Sequence, residues 1–335
     1  MVYTIAEIGN NHNGSIKKCL KITKAAHASG ADAIKIQSFR GTDIVTPNIL
    51  SSEYPEWDSA GYKYWHEFAD SIALPINDHQ EAIDYAHNLG LDFITTPVSP
   101  EIVDMLEQMR GIDYYKIASM DLNNIDLLES VSKTNKKVIL SSGMGSIEEI
   151  QKAVSILNKK DLTILHCISD YPLSPKNANL NNIKILAHKF SDYRIGFSDH
   201  SLGHELAIAA SMMGAKVIEK HFTLSREDKS PAEHHFSMEP LDFQIMVKWL
   251  DDIKININKK EWSRSHNEKN EGKIMSRRSF HYKNDLNVGY IINKKDLVFI
   301  RPGNAIDYND LEKLLSKPLT RPIKAYDPCL EDDFI

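Results

Sequence analysis

Little cysteine, no long apolar run and no surplus of basic charge mark this chain, and each scarcity removes a class of protein. Three cysteines, Cys19, Cys167 and Cys329, are scattered through 335 residues. An odd, dispersed set builds no disulfide framework and fits a reducing cytoplasm. Apolar residues make up 42% of the chain, enough for a large core. No stretch of them approaches bilayer length, so a membrane is not expected as a partner. Net charge is −6 and the pI about 6.2, so nucleic acid is not expected either. The first strand-like run begins at Val2, which leaves no room for a signal peptide, and the expected location is cytoplasmic.

What the chain does have is a rhythm. Strand-like runs at 3–9, 33–39, 92–96, 114–118, 137–141, 162–166, 194–198 and 216–221 are each followed by apolar residues at helical spacing, at 16–28, 79–89, 100–109, 125–133, 147–157, 180–190, 204–213 and 241–253. Ser99 before Pro100, and Ser146 before a Glu-rich turn, read as helix N-caps. The alternation predicts an α/β fold, a TIM (β/α)8 barrel over residues 1–255, with a doubly wound sheet as the fallback. Residues 40–77 break the rhythm and carry Pro55-Glu-Trp-Asp58 and Tyr62-Lys-Tyr-Trp-His66. A loop of that length is functional or disordered, and its aromatics point away from disorder; an inert decorative subdomain is the plain alternative. Residues 256–275 are polar and read as a linker. The remaining 276–335 form a small mixed module, too small for much stability alone.

Several strands carry polar residues that a core strand should not. Lys35 and Gln37 share one face of the second strand, while Ile34 and Ile36 take the other. Lys116 is the sole charge in Tyr114-Tyr-Lys-Ile-Ala118, Glu7 lies within Ile5-Ala-Glu-Ile8, and His166 ends the sixth strand. A buried lysine is costly unless paired. One could be structural, but several on different strands of one barrel suggest an anion cradle beside a carboxylate. Ser198-Asp199-His200 and Glu219-Lys220-His221 end consecutive strands. That places two histidines side by side at the rim where barrel enzymes work, close enough to hold one metal ion.

Read in order, Ala6-Glu-Ile-Gly-Asn-Asn-His-Asn-Gly14, Gly30-Ala-Asp-Ala-Ile-Lys-Ile-Gln37, Thr96-Pro97, Tyr115-Lys-Ile-Ala-Ser119, Leu140-Ser-Ser-Gly-Met144, His166-Cys167 with Tyr171-Pro172, Gly196-Phe-Ser-Asp-His200 and Glu219-Lys-His-Phe-Thr223 resemble the sialic acid synthase family, the phosphoenolpyruvate-dependent nonulosonate synthases. Arg278-Ser279, Gly289, Asp296-Leu297 and Arg301-Pro-Gly-Asn304 resemble that family's antifreeze-like (SAF) domain. The resemblance covers nearly the whole chain. It implies condensation of phosphoenolpyruvate with an N-acetylated, N-acetylmannosamine-like hexosamine aldehyde, giving a nine-carbon 3-deoxy-2-keto acid and phosphate. It implies Glu7, Lys35, Lys116 and Glu219 as catalytic residues. It implies Gln37, Thr96, Ser119, Ser141, Ser169, Tyr171, Ser198, Asp199, Glu233 and Arg301 as substrate contacts. A divalent metal, most often manganese with magnesium or cobalt as alternatives, is implied on His200 and His221. The implied assembly is a domain-swapped homodimer, in which Arg301 of one tail reaches the acceptor in the other barrel.

Two further functions stay open on the residues. One is a related phosphoenolpyruvate-dependent ulosonate synthase acting on another sugar, against which the SAF-like tail argues. The other is a non-catalytic sugar-binding barrel, against which the retained histidines and lysines argue. Where many family members read Gly-Pro-Asp before Ser-Met or Ser-Leu-Glu-Pro, this chain reads Ser230-Pro-Ala-Glu-His-His-Phe-Ser-Met-Glu-Pro240. Aligned on Ser237, Glu233 replaces a sugar-binding aspartate, and His234 and His235 are extra, expected in a solvated or sugar-facing loop. Ser169 stands where N-acetylneuraminate-forming members often carry Asn, and Pro55-Glu-Trp-Asp58 is faintly similar to pseudaminic acid synthases, so the acceptor sugar stays open.

Overall fold

The structure, a computed structural model, describes residues 2–53, 61–257, 262–269 and 271–334. Pro55-Glu-Trp-Asp58 lies outside the described residues. Eight parallel strands close into a barrel in chain order: β1 (Tyr3–Gly9), β2 (Ala33–Ser38), β3 (Asp92–Pro97), β4 (Tyr114–Ile117), β5 (Lys137–Ser141), β6 (Leu162–Cys167), β7 (Arg194–Asp199) and β8 (Val217–His221). β8 pairs back onto β1, with Glu7 opposite His221. This is the TIM barrel that the alternation predicts.

The principal helices around it are α1 (Ile16–Ala28), α4 (His79–Asn88), α5 (Pro100–Leu106), α6 (Ile125–Lys133), α7 (Ile147–Leu157), α8 (Asn181–Lys189), α9 (Glu205–Met212) and α10 (Pro240–Ile257). Their starts follow from local chemistry. At α7, the Ser146 side chain accepts from Glu149 N while Glu149 reaches back to the Ser146 backbone, a capping box that satisfies two otherwise orphaned donors. The same helix buries Ile150, Ala153, Val154 and Leu157, spaced three and four residues apart on one face.

Two apolar layers follow from the two-residue period of the strands. Residues facing outward, such as Ile34, Phe93, Tyr115, Ile164 and Phe197, pack with the helices in the main core. Inside the barrel a second cluster takes one residue from each of seven strands: Ile5, Ala33, Ile94, Tyr114, Ile139, Leu165 and Val217. The remaining strand, β7, supplies Gly196 at this level; a Cβ there would lie 2.5 Å from Leu165 Cδ2, so the absence of a side chain makes room for the leucine. Two positions further along each strand, the same inward face turns polar, and that layer is the candidate site.

Three features differ from the expectation. The rhythm-breaking segment at 40–77 contains α2 (Gly41–Ile44) and α3 (Trp65–Ile72). α3 buries Phe68, Ala69 and Ile72 on one face, so the aromatics noted in sequence belong to a packed helix. The polar stretch expected as a linker includes α11 (His266–Lys269) and α12 (Glu271–Ser276). His166 faces outward: its Nε2 lies 2.7 Å from the Ala178 carbonyl and its ring stacks on Phe197, so it takes no part in the inward polar layer.

The chain separates into two compact units, 1–258 and 259–335. The second contains an antiparallel pair, β9 (Ser279–Tyr282) and β10 (Leu297–Ile300), and α13 (Tyr308–Leu314). Its own core includes Phe280, Tyr282, Leu297, Leu319 and Cys329. Buried Asp333 joins it, accepting from Tyr282 Oη at 2.9 Å and from Arg321 Nε at 2.7 Å. No described helix is long and apolar enough to cross a membrane.

Candidate active site

One step along each strand from the interior apolar cluster, Ile5 gives way to Glu7, Ala33 to Lys35, Tyr114 to Lys116, Ile139 to Ser141, and Val217 to Glu219. The last step on β8 brings in His221, and β7 and the residue after it supply Ser198 and His200. These groups line a cavity of about 300 Å³ at the carboxyl ends of the strands. Of the sequence-derived residues, the cavity gathers Glu7, Lys35, Gln37, Thr96, Lys116, Ser119, Ser141, Ser169, Tyr171, Ser198, His200, Glu219, His221 and Glu233.

Two expected contacts stand elsewhere. Asp199 lies between the inward residues Ser198 and His200, so the strand period turns it away from the cavity. It is buried, accepting from Lys220 Nζ at 2.8 Å and from Ser201 N at 2.8 Å, and is occupied in tying β7 to β8. Arg301 belongs to the second unit, immediately after β10, and is exposed. His234 differs from its expected solvated setting: it is buried, with Nδ1 2.7 Å from Thr223 Oγ1.

The polar layer is a compact charge lattice. Lys35 Nζ lies 2.8 Å from Glu7 Oε2 and 3.8 Å from Glu219 Oε2. Lys116 Nζ lies 3.8 Å from Glu219 Oε1 and donates to Ser141 Oγ at 2.6 Å. Ser198 Oγ donates to Glu219 Oε1 at 2.8 Å, and Gln37 Nε2 to Glu7 Oε1 at 3.3 Å. Each lysine thus has the carboxylate partner that its burial requires.

The carboxyls differ in proton affinity. Burial raises Glu7, against the opposing pull of Lys35. Burial acts upward on Glu219 as well, but Lys116 and Lys35 outweigh it and hold that carboxyl down to about 2. Burial also pushes Lys116 below the usual lysine value. Two neighbouring carboxyls driven apart in this way are equipped for different roles, one exchanging a proton and one remaining an anion.

His200 fits a metal ion by its tautomer. His200 Nδ1 lies 2.7 Å from the Ile168 carbonyl, which can only accept, so the hydrogen sits on Nδ1 and Nε2 carries the lone pair, with Ser198 Oγ 3.4 Å away. His221 Nδ1 faces Glu233 Oε2 at 3.1 Å, and although burial acts downward on His221, that carboxylate outweighs it and raises the proton affinity of the ring. The rings are 5.4 Å apart between centroids. Burial, then the neighbouring His221, pushes His200 down to about 3, keeping it neutral and able to bind a cation. Among the described residues no group of three or more His, Cys, Asp or Glu side chains forms a ready-made metal cage. Tyr171 stacks on His200 at 4.1 Å, and Phe236 meets His221 edge-on at 5.0 Å, so aromatic faces wall this end.

Sequence reasoning missed an apolar wall opposite the charges. Phe39, Ile44, Trp65, Phe68, Ile72 and Val98 line it, several of them from α2 and α3. The signal was the spacing Trp65, Phe68, Ala69, Ile72, a helical face hidden in a stretch read as loop.

The chain matches the NeuB family over residues 22–261. It belongs to that family. It is 32% identical to an N,N'-diacetyllegionaminic acid synthase of Campylobacter jejuni, over 96% of each chain. It is 31% identical to a pseudaminic acid synthase of the same species, over 99% of this chain and 96% of the other. Among solved structures, an N-acetylneuraminic acid (sialic acid) synthetase of Leptospira borgpetersenii superposes with a TM-score of 0.70 at 30% identity, covering 81% of this chain and 90% of that one.

Proposed function

We propose that this NeuB-family protein is a transferase that condenses phosphoenolpyruvate with an N-acetylated hexosamine aldehyde, forming a nine-carbon 3-deoxy-2-keto acid and phosphate. The observation that carries the proposal is the buried pairing of Lys35 and Lys116 with Glu7 and Glu219, surrounded by serine hydroxyls, in a cavity beside the His200 and His221 rings. The synthase names of the relatives supply the reaction class.

Lys116 and Lys35, with Ser119, Ser141, Ser198 and Thr96, are assigned to the donor's phosphate and carboxylate, because charge-assisted bonds in a dry site position strongly. Gln37 is assigned with them to the donor, and Ser169, Tyr171 and Glu233 to the acceptor. Carbon 3 of the enol phosphate attacks the aldehyde carbon, forming the new C–C bond while the aldehyde oxygen takes a proton. Water adds to the cationic carbon 2 and loses a proton. The bond from carbon 2 to the phosphate oxygen then breaks, the carbon 2 hydroxyl gives up its proton, and a ketone and free phosphate result. Glu7, raised by burial and held beside Lys35, is assigned to proton exchange in these steps.

His200 and His221 would hold a divalent cation, manganese by family likeness. When bound, it supplies Lewis-acid polarisation of the acceptor's carbonyl oxygen. Charge balance favours it: three carboxyls, Glu7, Glu219 and Glu233, share the cavity with two lysines, Lys35 and Lys116, so a multiply anionic donor calls for more positive charge. We further assign 276–335 as an SAF domain, with Arg301 reaching the acceptor in the partner barrel of a swapped homodimer. Four successive strand-end loops leave Met120, Met144, Tyr171 and Leu202 exposed, an apolar rim that a covering domain would bury.

The test is phosphate release from phosphoenolpyruvate with manganese across a panel of acetamido sugars. Sugar-dependent release that chelator abolishes supports the assignment, and no release with any acetamido sugar contradicts it.

A further inference from the structure

Glu233 is the one carboxylate of the cavity that stands on a loop rather than a strand. Its carboxylate nevertheless has a fixed place, buried 3.1 Å from His221 Nδ1. The inner support is clear: Ser237 Oγ donates to the Glu233 carbonyl at 2.5 Å, and Asn11 Nδ2 donates to Ser237 Oγ at 2.9 Å. The outer half of the loop closes on a single cation outside the cavity. Lys18, in the first turn of α1, donates from Nζ to Asp228 Oδ2 at 2.7 Å, to Asn13 Oδ1 at 2.5 Å and to Ser230 Oγ at 3.2 Å. Ser230 Oγ in turn lies 2.5 Å from Asp228 Oδ1, 2.8 Å from Asn13 Oδ1 and 3.2 Å from His234 Nε2, and His234 directly follows Glu233. Asn13 Nδ2 donates back to the Pro231 carbonyl at 2.7 Å. Lys18 therefore bridges the loop after β1 to the loop after β8, and removing its charge leaves Asp228 with Ser230 and, 3.8 Å away, the His234 ring in place of a lysine.

We propose that Lys18 is a positioning residue for acceptor binding: by clasping Asn13, Asp228 and Ser230 it holds the 224–236 loop shut, and with it Glu233 against His221. This rests on the reading of Glu233 as an acceptor contact. The donor-binding lysines stand on β2 and β4, away from the clasp, so donor affinity should not respond.

Two measurements decide it. In steady-state kinetics, Lys18→Met should raise the acceptor KM by about tenfold, leave the phosphoenolpyruvate KM within about twofold, and be largely rescued by Lys18→Arg. Asp228→Asn should act similarly and add little on top of Lys18→Met, since both break one contact. In limited trypsinolysis of the unliganded protein, Lys18→Met should be cut after Arg226 or Lys229 faster than the native chain, with an unchanged melting temperature. Equal shifts in both KM values, or cleavage that does not change, would overturn the proposal. If the native protein turns over no acceptor, the functional reading fails, while the trypsin measurement still decides whether Lys18 holds the loop.

Discussion

Gly9 shows how much of the candidate site depends on single atoms. It ends β1 with φ of +52°, and a Cβ there would come within 2.2 Å of Glu233 Oε2. Gly9→Ala should displace that carboxylate, raise the acceptor KM sharply and leave donor affinity nearly intact, which kinetics with each substrate varied in turn will show. Lys116→Met removes a buried charge-assisted donor, so phosphoenolpyruvate affinity measured by isothermal titration should fall by about tenfold or more, given roughly 1.5–3 kcal/mol for such a contact. His12 gives a pH dependence of stability. Burial, then the nearby His79, lowers it to about 3, so it is neutral in the folded chain. Unfolded, it protonates below about pH 6.5, and the unfolded state then binds the extra proton. His12 therefore costs stability progressively as pH falls from about 6.5 toward 3, at up to about 1.4 kcal/mol per unit. Denaturant midpoints in His12→Gln should decline less steeply over that window than those of the native chain.

Strands made most of the site legible, and a loop and a helix hid the rest. Once β1, β2, β4 and β8 are recognised, period two alone carries Ile5 to Glu7, Ala33 to Lys35, Tyr114 to Lys116 and Val217 to Glu219, so the inward polar layer can be read from the sequence. The same period, applied strictly, would have excluded Asp199, which follows Ser198 and must turn outward. Nothing in the sequence marked the Lys18–Asp228 clasp, because the partners are 210 residues apart and Asp228 lies on a loop that carries no period. The apolar wall from α2 and α3 was obscured for a related reason: each helix is short, and tertiary burial rather than propensity decides whether such a segment is helical. Asp199 and Lys220 make a testable structural pair. Both are buried and bonded at 2.8 Å, so Lys220→Met, which strands a buried carboxylate, should cost about 3–5 kcal/mol in urea unfolding while leaving donor affinity unchanged.

On the scale of the whole molecule, the barrel supplies the charges, and the second compact unit has a role proposed from resemblance. Mixing a barrel variant, Lys116→Met, with a tail variant, Arg301→Ala, tests the swap. Shared sites would regenerate one intact site per heterodimer and recover activity, whereas no recovery in confirmed heterodimers would rule sharing out. The central claim is that the polar layer joins a three-carbon donor to an amino sugar, and the most direct measurement is the mass of the product formed from phosphoenolpyruvate and each acetamido sugar. The expected product is heavier than the acceptor by one pyruvate unit, with phosphate released in equal amount and neither formed by Lys116→Met. Phosphoenolpyruvate consumed with no gain of mass on any sugar, or a product that keeps the phosphate, would contradict it.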